Sequence, residues 1–247
     1  LRVYHNQFDS GTTCPTFENC LDILLNWSNE NPLHHPLFIW IEPKDWPEQA
    51  AEVTMTLELS GILEDIEQEI VQFWPINKTI TPDDVRGERN SLKDAVISDG
   101  WPSIDDSRGK AIFVLLARGN SRDLYLDAYP GLNGARMFTL SEEGSNESAI
   151  FSIADPLGNQ GEISRLVGEG YIVRSRSDSG GEEADSNDTA RRDAAFESGA
   201  HSISTDYPGK VDGLDYWVEV PNGTPSRCNP ISSPDWCTSE DIEHLSQ

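Results

Sequence analysis

The sequence predicts an α/β protein organised around a parallel sheet. Three observations lead there. Six short apolar runs rich in Val, Ile and Phe recur along the 247 residues, as buried parallel strands do. Segments with apolar residues at three- and four-residue spacing separate them, as crossover helices would. Polar residues gather at the carboxyl ends of the runs, where parallel α/β proteins place their sites.

In chain order, LRVYH (1–5) is the first predicted strand and ends at His5. FENCLDILLNWS follows as a helix, then PLFIWIEP (36–43) as the second strand. A long helix spans residues 48–74, and SLKDAVIS is a shorter one. KAIFVLLA (110–117) and SAIFSIAD (148–155) are the third and fourth strands. GEISRLVGEG is helical and leads into GYIVRSRS (170–177). The acidic stretch 177–188, SDSGGEEADSND, reads as a solvated loop. DTARRDAAFESG is the last crossover helix, before HSISTDY (201–207). Such alternation implies right-handed crossovers. Six strands could form an open doubly wound sheet, because a closed barrel needs eight. GxGxxG and GxxxxGK[ST] are absent, which weakens a nucleotide-binding reading. The last forty residues read as an irregular tail with one extended piece, YWVEV.

Forty-three acidic residues against 18 basic give a net charge of -25. Such a surface repels phosphate backbones and disfavours polybasic docking on anionic lipid, so nucleic acid is not an expected partner. The longest apolar run, AIFVLLA, is far too short to span a bilayer. Four cysteines fall into two local pairs, Cys14 with Cys20 and Cys228 with Cys237. The spacings do not match zinc sites, and two short-loop disulfides are expected. Asn-x-Ser/Thr sequons occur at Asn26, Asn77, Asn146, Asn187 and Asn222. Together they predict a secreted, glycosylated protein.

The polar strand ends carry the functional reading. Phe38, Trp40, Glu42 and Lys44 share one face of their strand, and Arg174, Arg176 and Asp178 share a face of theirs. Glu42 with Lys44 is either a structural ion pair or a metal carboxylate beside an anion-binding cation; calcium takes such oxygen ligands. Arg174 and Arg176 suit a phosphate, unless one neutralises Asp178. His5 shares this end with acids and arginines, which favours acid/base work. His34, His35 and His201 lie at the amino ends of strands and His244 in the tail, so they are weaker candidates. Asp155 and Asp206 complete the polar set.

As a set, VYHNQFD, TCPTFENCL, NWS, PLFIWIEPK, ITPDDVRG, GWPSIDDSRGKAIFVLL, YIVRSRSD, NDTARRDAAFESGAHSISTDYP and RCNP resemble the calcium-dependent phosphoinositide-specific phospholipase C family of secreted bacterial and fungal proteins. The resemblance runs from about Leu1 to Cys237, and NDTARRDAAFESGAHSISTDYP is its most specific stretch. It implies a TIM-type (β/α)8 barrel whose third to eighth strands are the six above, with the first two missing from the numbered chain. Residues 1–209 would then be the catalytic barrel and 210–247 a disulfide-stapled extension. The family's Thr-His-Asn and Glu-x-Asp motifs of the first two strands are not found here. By the resemblance, His5 matches the histidine that protonates the diacylglycerol oxygen, and Glu42 a calcium-binding glutamate. Lys44, Arg174 and Arg176 are substrate-phosphate candidates. The implied partner is a phosphoinositide lipid at a membrane surface. The competing functions are a glycerophosphodiester phosphodiesterase on the same barrel and a non-catalytic phosphoinositide- or glycan-binding relative.

Overall fold

The computed structural model describes residues 1–5, 11–43, 52–221 and 226–243, with backbone alone for 52–58 and 241. Lys44, Asn222 and His244 therefore lie outside the described residues. The chain divides into two compact units, Leu1–Glu147 and Ser148–Gln247. Each contains a three-stranded parallel sheet. Among the described residues no single six-stranded ladder is formed: hydrogen-bonded pairing stops at the third strand and begins again at the fourth.

The first unit holds β1 (Leu37–Ile41), β2 (Ala111–Leu115) and β3 (Met137–Thr139) in that order. Leu37 pairs with Ala111, and Phe113 with both Ile39 and Met137. As the central strand, β2 is buried at all its positions, whereas β1 is half-buried throughout. Helix α1 (Phe17–Glu30) starts on Thr16, whose hydroxyl accepts from the Asn19 amide at 3.2 Å. Helix α2 (Glu52–Phe73) buries Leu59, Leu63, Ile66 and Ile70, the spacing of one helical face. At its end Trp74 meets Phe113 edge-on with ring centroids 5.5 Å apart, a geometry worth about 0.5–1.5 kcal/mol beyond area burial. Helices α3 (Pro82–Arg86), α4 (Leu92–Ser98) and α5 (Ile104–Ser107) start on Thr81, Ser91 and Ser103, each accepting from the backbone three residues on. Helix α6 (Asn120–Ala128) connects β2 to β3 and packs on α2.

Two expectations are corrected here. Residues 1–5 are not a strand of either sheet. Arg2 forms an isolated antiparallel bridge with Thr16, and the Val3 amide donates to Pro15 O at 3.3 Å. The turn closed by Cys14–Cys20 presents these groups and occupies the segment's backbone. The strand the sequence reading passed over is β3. Its signal is only three residues long, yet all three are buried.

The second unit holds β4 (Ile150–Ser152), β5 (Ile172–Arg176) and β6 (Ser202–Ser204), again in order. Helix α7 (Pro156–Gly168) starts on Asp155 with Pro156 in its first turn, where a missing N–H costs nothing. Both α7 and α9 (Ala190–Glu197) pack on β5. The acidic stretch expected as a loop carries a one-turn helix, α8 (Glu182–Ser186), with Asn187 left-handed at its end. The tail is tied down. Tyr216 donates to Ser177 O at 2.9 Å, Val218 N to Tyr207 O at 2.9 Å, and Lys210 sits 4.4 Å from the Trp217 ring centroid. A short helix, α10 (Ser239–Glu243), follows the Cys228–Cys237 bond. The two cysteine pairs are bonded as expected. Among the described residues no helix is long and apolar enough to cross a membrane.

Candidate functional site

Glu42 follows β1 directly and is exposed at the strand's carboxyl end. It shares its face with Trp40 and Phe38, whose rings stack 5.9 Å apart. Beside it is a cavity of about 280 Å³. Tyr4, Trp40, Glu42 and Pro43 line it, with Ile62 and Ile66 from α2. The cavity brings the stretch that ends in His5 against the carboxyl end of β1. His5 itself is exposed. The apolar walls were not singled out in the sequence, although the four-residue spacing of Ile62 and Ile66 marks one helix face.

In the second unit, register puts Ser152, Arg174 and Ser202 in one row, and Arg176 with Ser204 in the next. One face of β4–β5–β6 thus bears two arginines framed by serines. Arg174 Nη1 donates to Ser152 Oγ at 3.3 Å, and Arg176 lies 3.9 Å from Asp206. Both arginines are half-buried. The period-two pattern of FSI and SIS could have flagged the serines once strand pairing was known.

The acids at these strand ends do different work from one another. Asp155 caps α7 and pairs with Arg191 at 2.9 Å. Among the described residues no arginine pairs with Asp178. It is fully buried and accepts from Ser177 Oγ at 2.8 Å, Thr205 Oγ1 at 2.6 Å and the Asp206 amide at 3.0 Å. Three neutral donors satisfy a buried carboxylate where a guanidinium was one of the sequence options. Burial pushes the Tyr216 hydroxyl up to about 12, and the Asp178 charge adds to this.

His34, His35 and His201 sit at the amino ends of strands. His34 Nε2 is 2.8 Å from Ser28 Oγ, which Lys78 Nζ also reaches at 2.9 Å. Ser28 is fully buried, so this cluster closes the base of the first sheet. Among the described residues no group of three or more His, Cys, Asp or Glu could hold a metal ion. Glu42 offers one carboxylate, whereas calcium takes six to eight oxygens.

No curated protein matches the chain. Among the solved structures that share its fold are two phospholipases C. One is a Ca2+-dependent phosphatidylinositol-specific phospholipase C from Streptomyces antibioticus: 19% identity, TM-score 0.57, over 78% of this chain and 70% of that one. The other is a calcium-dependent phosphoinositol-specific phospholipase C from a Pseudomonas species: 17% identity, TM-score 0.50, over 68% of this chain. The chain spans 58% of that protein's length. The family model for Ca2+-dependent phosphoinositide phospholipase C matches residues 1–230, and the chain belongs to that family.

Proposed function

We propose that this protein is a secreted phospholipase C that cleaves phosphatidylinositol to diacylglycerol and an inositol phosphate. The observation that carries the reading is the family match over residues 1–230. In this reading the two sheets belong to a TIM-type barrel, residues 1–209 being catalytic and 210–247 an extension. The inositol 2-hydroxyl gives its proton to a second histidine, not assigned among the described residues, and attacks the phosphorus to form the cyclic inositol phosphate; the bond to the diacylglycerol oxygen breaks, and His5 gives that oxygen its proton. Arg174 and Arg176 hold the phosphoryl oxygens, with Lys44 a third cation for the same charge. Calcium is the cofactor expected of a member. Glu42 fits as one ligand, but the described residues do not complete a shell, so no step is assigned to the metal. Secretion is supported by the two disulfides and by the exposure of Asn26, Asn77, Asn146 and Asn187. The lipid partner lies at a membrane surface.

The test is cleavage of phosphatidylinositol vesicles with calcium and with a chelator. Diacylglycerol formed only with calcium is the expected result. Release of inositol from glycerophosphoinositol instead, leaving glycerol 3-phosphate, would identify a glycerophosphodiester phosphodiesterase. Saturable lipid or glycan binding without turnover would identify a non-catalytic relative. His5→Ala is expected to lower turnover by roughly 10² to 10⁴. A nitrophenyl leaving group needs no proton and should recover much of that loss; equal impairment on both substrates removes His5 from the acid role.

A further inference from the structure

A cavity of about 340 Å³ lies in the second unit between β6, helix α9 and the tail. Ile203 and Thr205 line it, whereas Ser202 and Ser204 stand in the rows of Arg174 and Arg176. Alternate strand residues point to opposite faces, so this cavity is on the other side of the sheet from the two arginines. Its apolar walls are Phe196, Ile203, Val218 and Val220, and its basic groups are Arg227 and His201.

The Arg227 guanidinium lies 5.1 Å from the Phe196 ring centroid and donates Nη2–H to Phe196 O. Among the described residues it meets no carboxylate, although the chain carries 43 acids. Arg89, Arg122 and Arg191 each do. Burial pushes the Arg227 pKa down with no acid to offset it. The acid that reaches this stretch, Glu243, is held by Ser226, which donates to it from N at 3.0 Å and Oγ at 2.6 Å. Residues 222–225, Asn-Gly-Thr-Pro, contain no acid.

His201 faces the same space. The Val173 amide donates to its Nδ1 at 3.3 Å, so the neutral ring carries its hydrogen on Nε2. The surrounding protein pushes the ring's pKa down although part of the residue stays exposed. The other polar walls are already used. Asn229 donates to Gly199 O at 2.7 Å and accepts from Ile231 and Ser232, and Thr205 donates to Asp178. An arginine that meets no carboxylate among the described residues and an imidazole N–H thus border a cavity whose polar groups Thr205, Ser226 and Asn229 are already hydrogen-bonded.

We propose that this cavity binds a small amphiphilic oxyanion, a carboxylate or phosphate monoester. Its oxygens accept from Arg227 and His201, and its short hydrocarbon part lies on Phe196, Ile203, Val218 and Val220. The proposal does not depend on the phospholipase reading.

The test is calorimetric titration of the full chain with hexanoate, hexyl phosphate, hexanol and inorganic phosphate. At least one of the two amphiphilic anions is expected to bind saturably, and whichever binds more tightly names the head group. Hexanol and inorganic phosphate, each lacking half the recognition, should bind about tenfold more weakly or worse. Arg227→Gln should cost about tenfold or more, and Arg227→Lys less. Val220→Trp should block binding by filling the cavity without altering either donor, which also covers an Arg227→Gln chain that fails to fold. The proposal is overturned if neither amphiphile binds, if Arg227→Gln folds and binds as tightly as the parent, or if binding survives Val220→Trp.

Discussion

Among the described residues two carboxylates are buried, Glu67 in the first unit and Asp178 in the second, and their partners differ. Glu67 accepts from the Tyr125 hydroxyl at 2.7 Å and the Arg136 amide at 2.6 Å. It joins the middle of α2 to α6 and to the residue before β3, away from the carboxyl ends of the strands. Asp178 lies two residues past β5 and gathers Ser177, Thr205 and Asp206. Asp206 in turn faces Arg176. One carboxylate therefore holds a helix to a sheet. The other holds together the polar ends of two strands that carry candidate phosphate ligands. Burial alone does not distinguish the two acids; the place of their partners along the strands does.

The largest effect that separates the two is expected at Asp178. Asp178→Ala strands the Thr205 hydroxyl and the Asp206 amide, while Ser177 keeps Ser204 O at 3.1 Å as an acceptor. The expected loss is about 2–4 kcal/mol, read by urea unfolding. Asp178→Asn keeps an acceptor oxygen and should lose less than half as much. If Asp178→Ala proves as mild as a surface change, this network does not hold the strand ends.

Glu67 should respond more weakly and with a different pH signature. Burial raises its pKa, against the lowering effect of Tyr125 and the Arg136 amide. The folded state then holds the proton more tightly than the unfolded chain. Stability should fall as pH rises from the usual glutamate range through the raised value. Glu67→Gln should flatten that fall, seen as melting temperatures that change less across the same pH range. Tyr125→Phe removes a donor to the charged form and should cost about 1–2 kcal/mol at neutral pH. A decline as steep in Glu67→Gln as in the parent would place the titrating group elsewhere.

How much of this was readable beforehand follows the same division. The runs at 36–43, 110–117, 148–155, 170–177 and 201–207 each contain a strand; β2 is the continuous buried apolar run expected of a parallel strand, whereas β6 is Ser-Ile-Ser and half-buried. The run at 1–5 has the same composition but not the same partner. Pairing is decided by which backbone groups lie alongside, and here Pro15 and Phe17 do. Arg174 and Arg176 were legible because two cations at period two are costly unless one face is polar. Ser152 and Ser204 were not, since their role exists only in cross-strand register. Glu67 was illegible for a related reason. A glutamate within a long helix reads as a solvated residue until Tyr125, 58 positions later, is folded against it.

The smallest stability effect should come from Asp206, and it tests whether the Asp178 network serves a site. The Asp206 carboxylate lies 3.9 Å from Arg176 with its side chain 67% exposed, so solvent screens the pair. Asp206→Asn is expected to change stability by no more than about 0.5 kcal/mol, since its backbone amide still reaches Asp178. Removing this counter-charge leaves Arg176 freer to meet a phosphate. Under the phospholipase reading, KM for phosphatidylinositol should fall about two- to threefold with kcat unchanged, and the gain should shrink at high salt. Arg176→Ala should move KM the other way. A structural role for the Arg176–Asp206 pair predicts the opposite pattern: measurable destabilisation of both variants and no salt-sensitive change in KM.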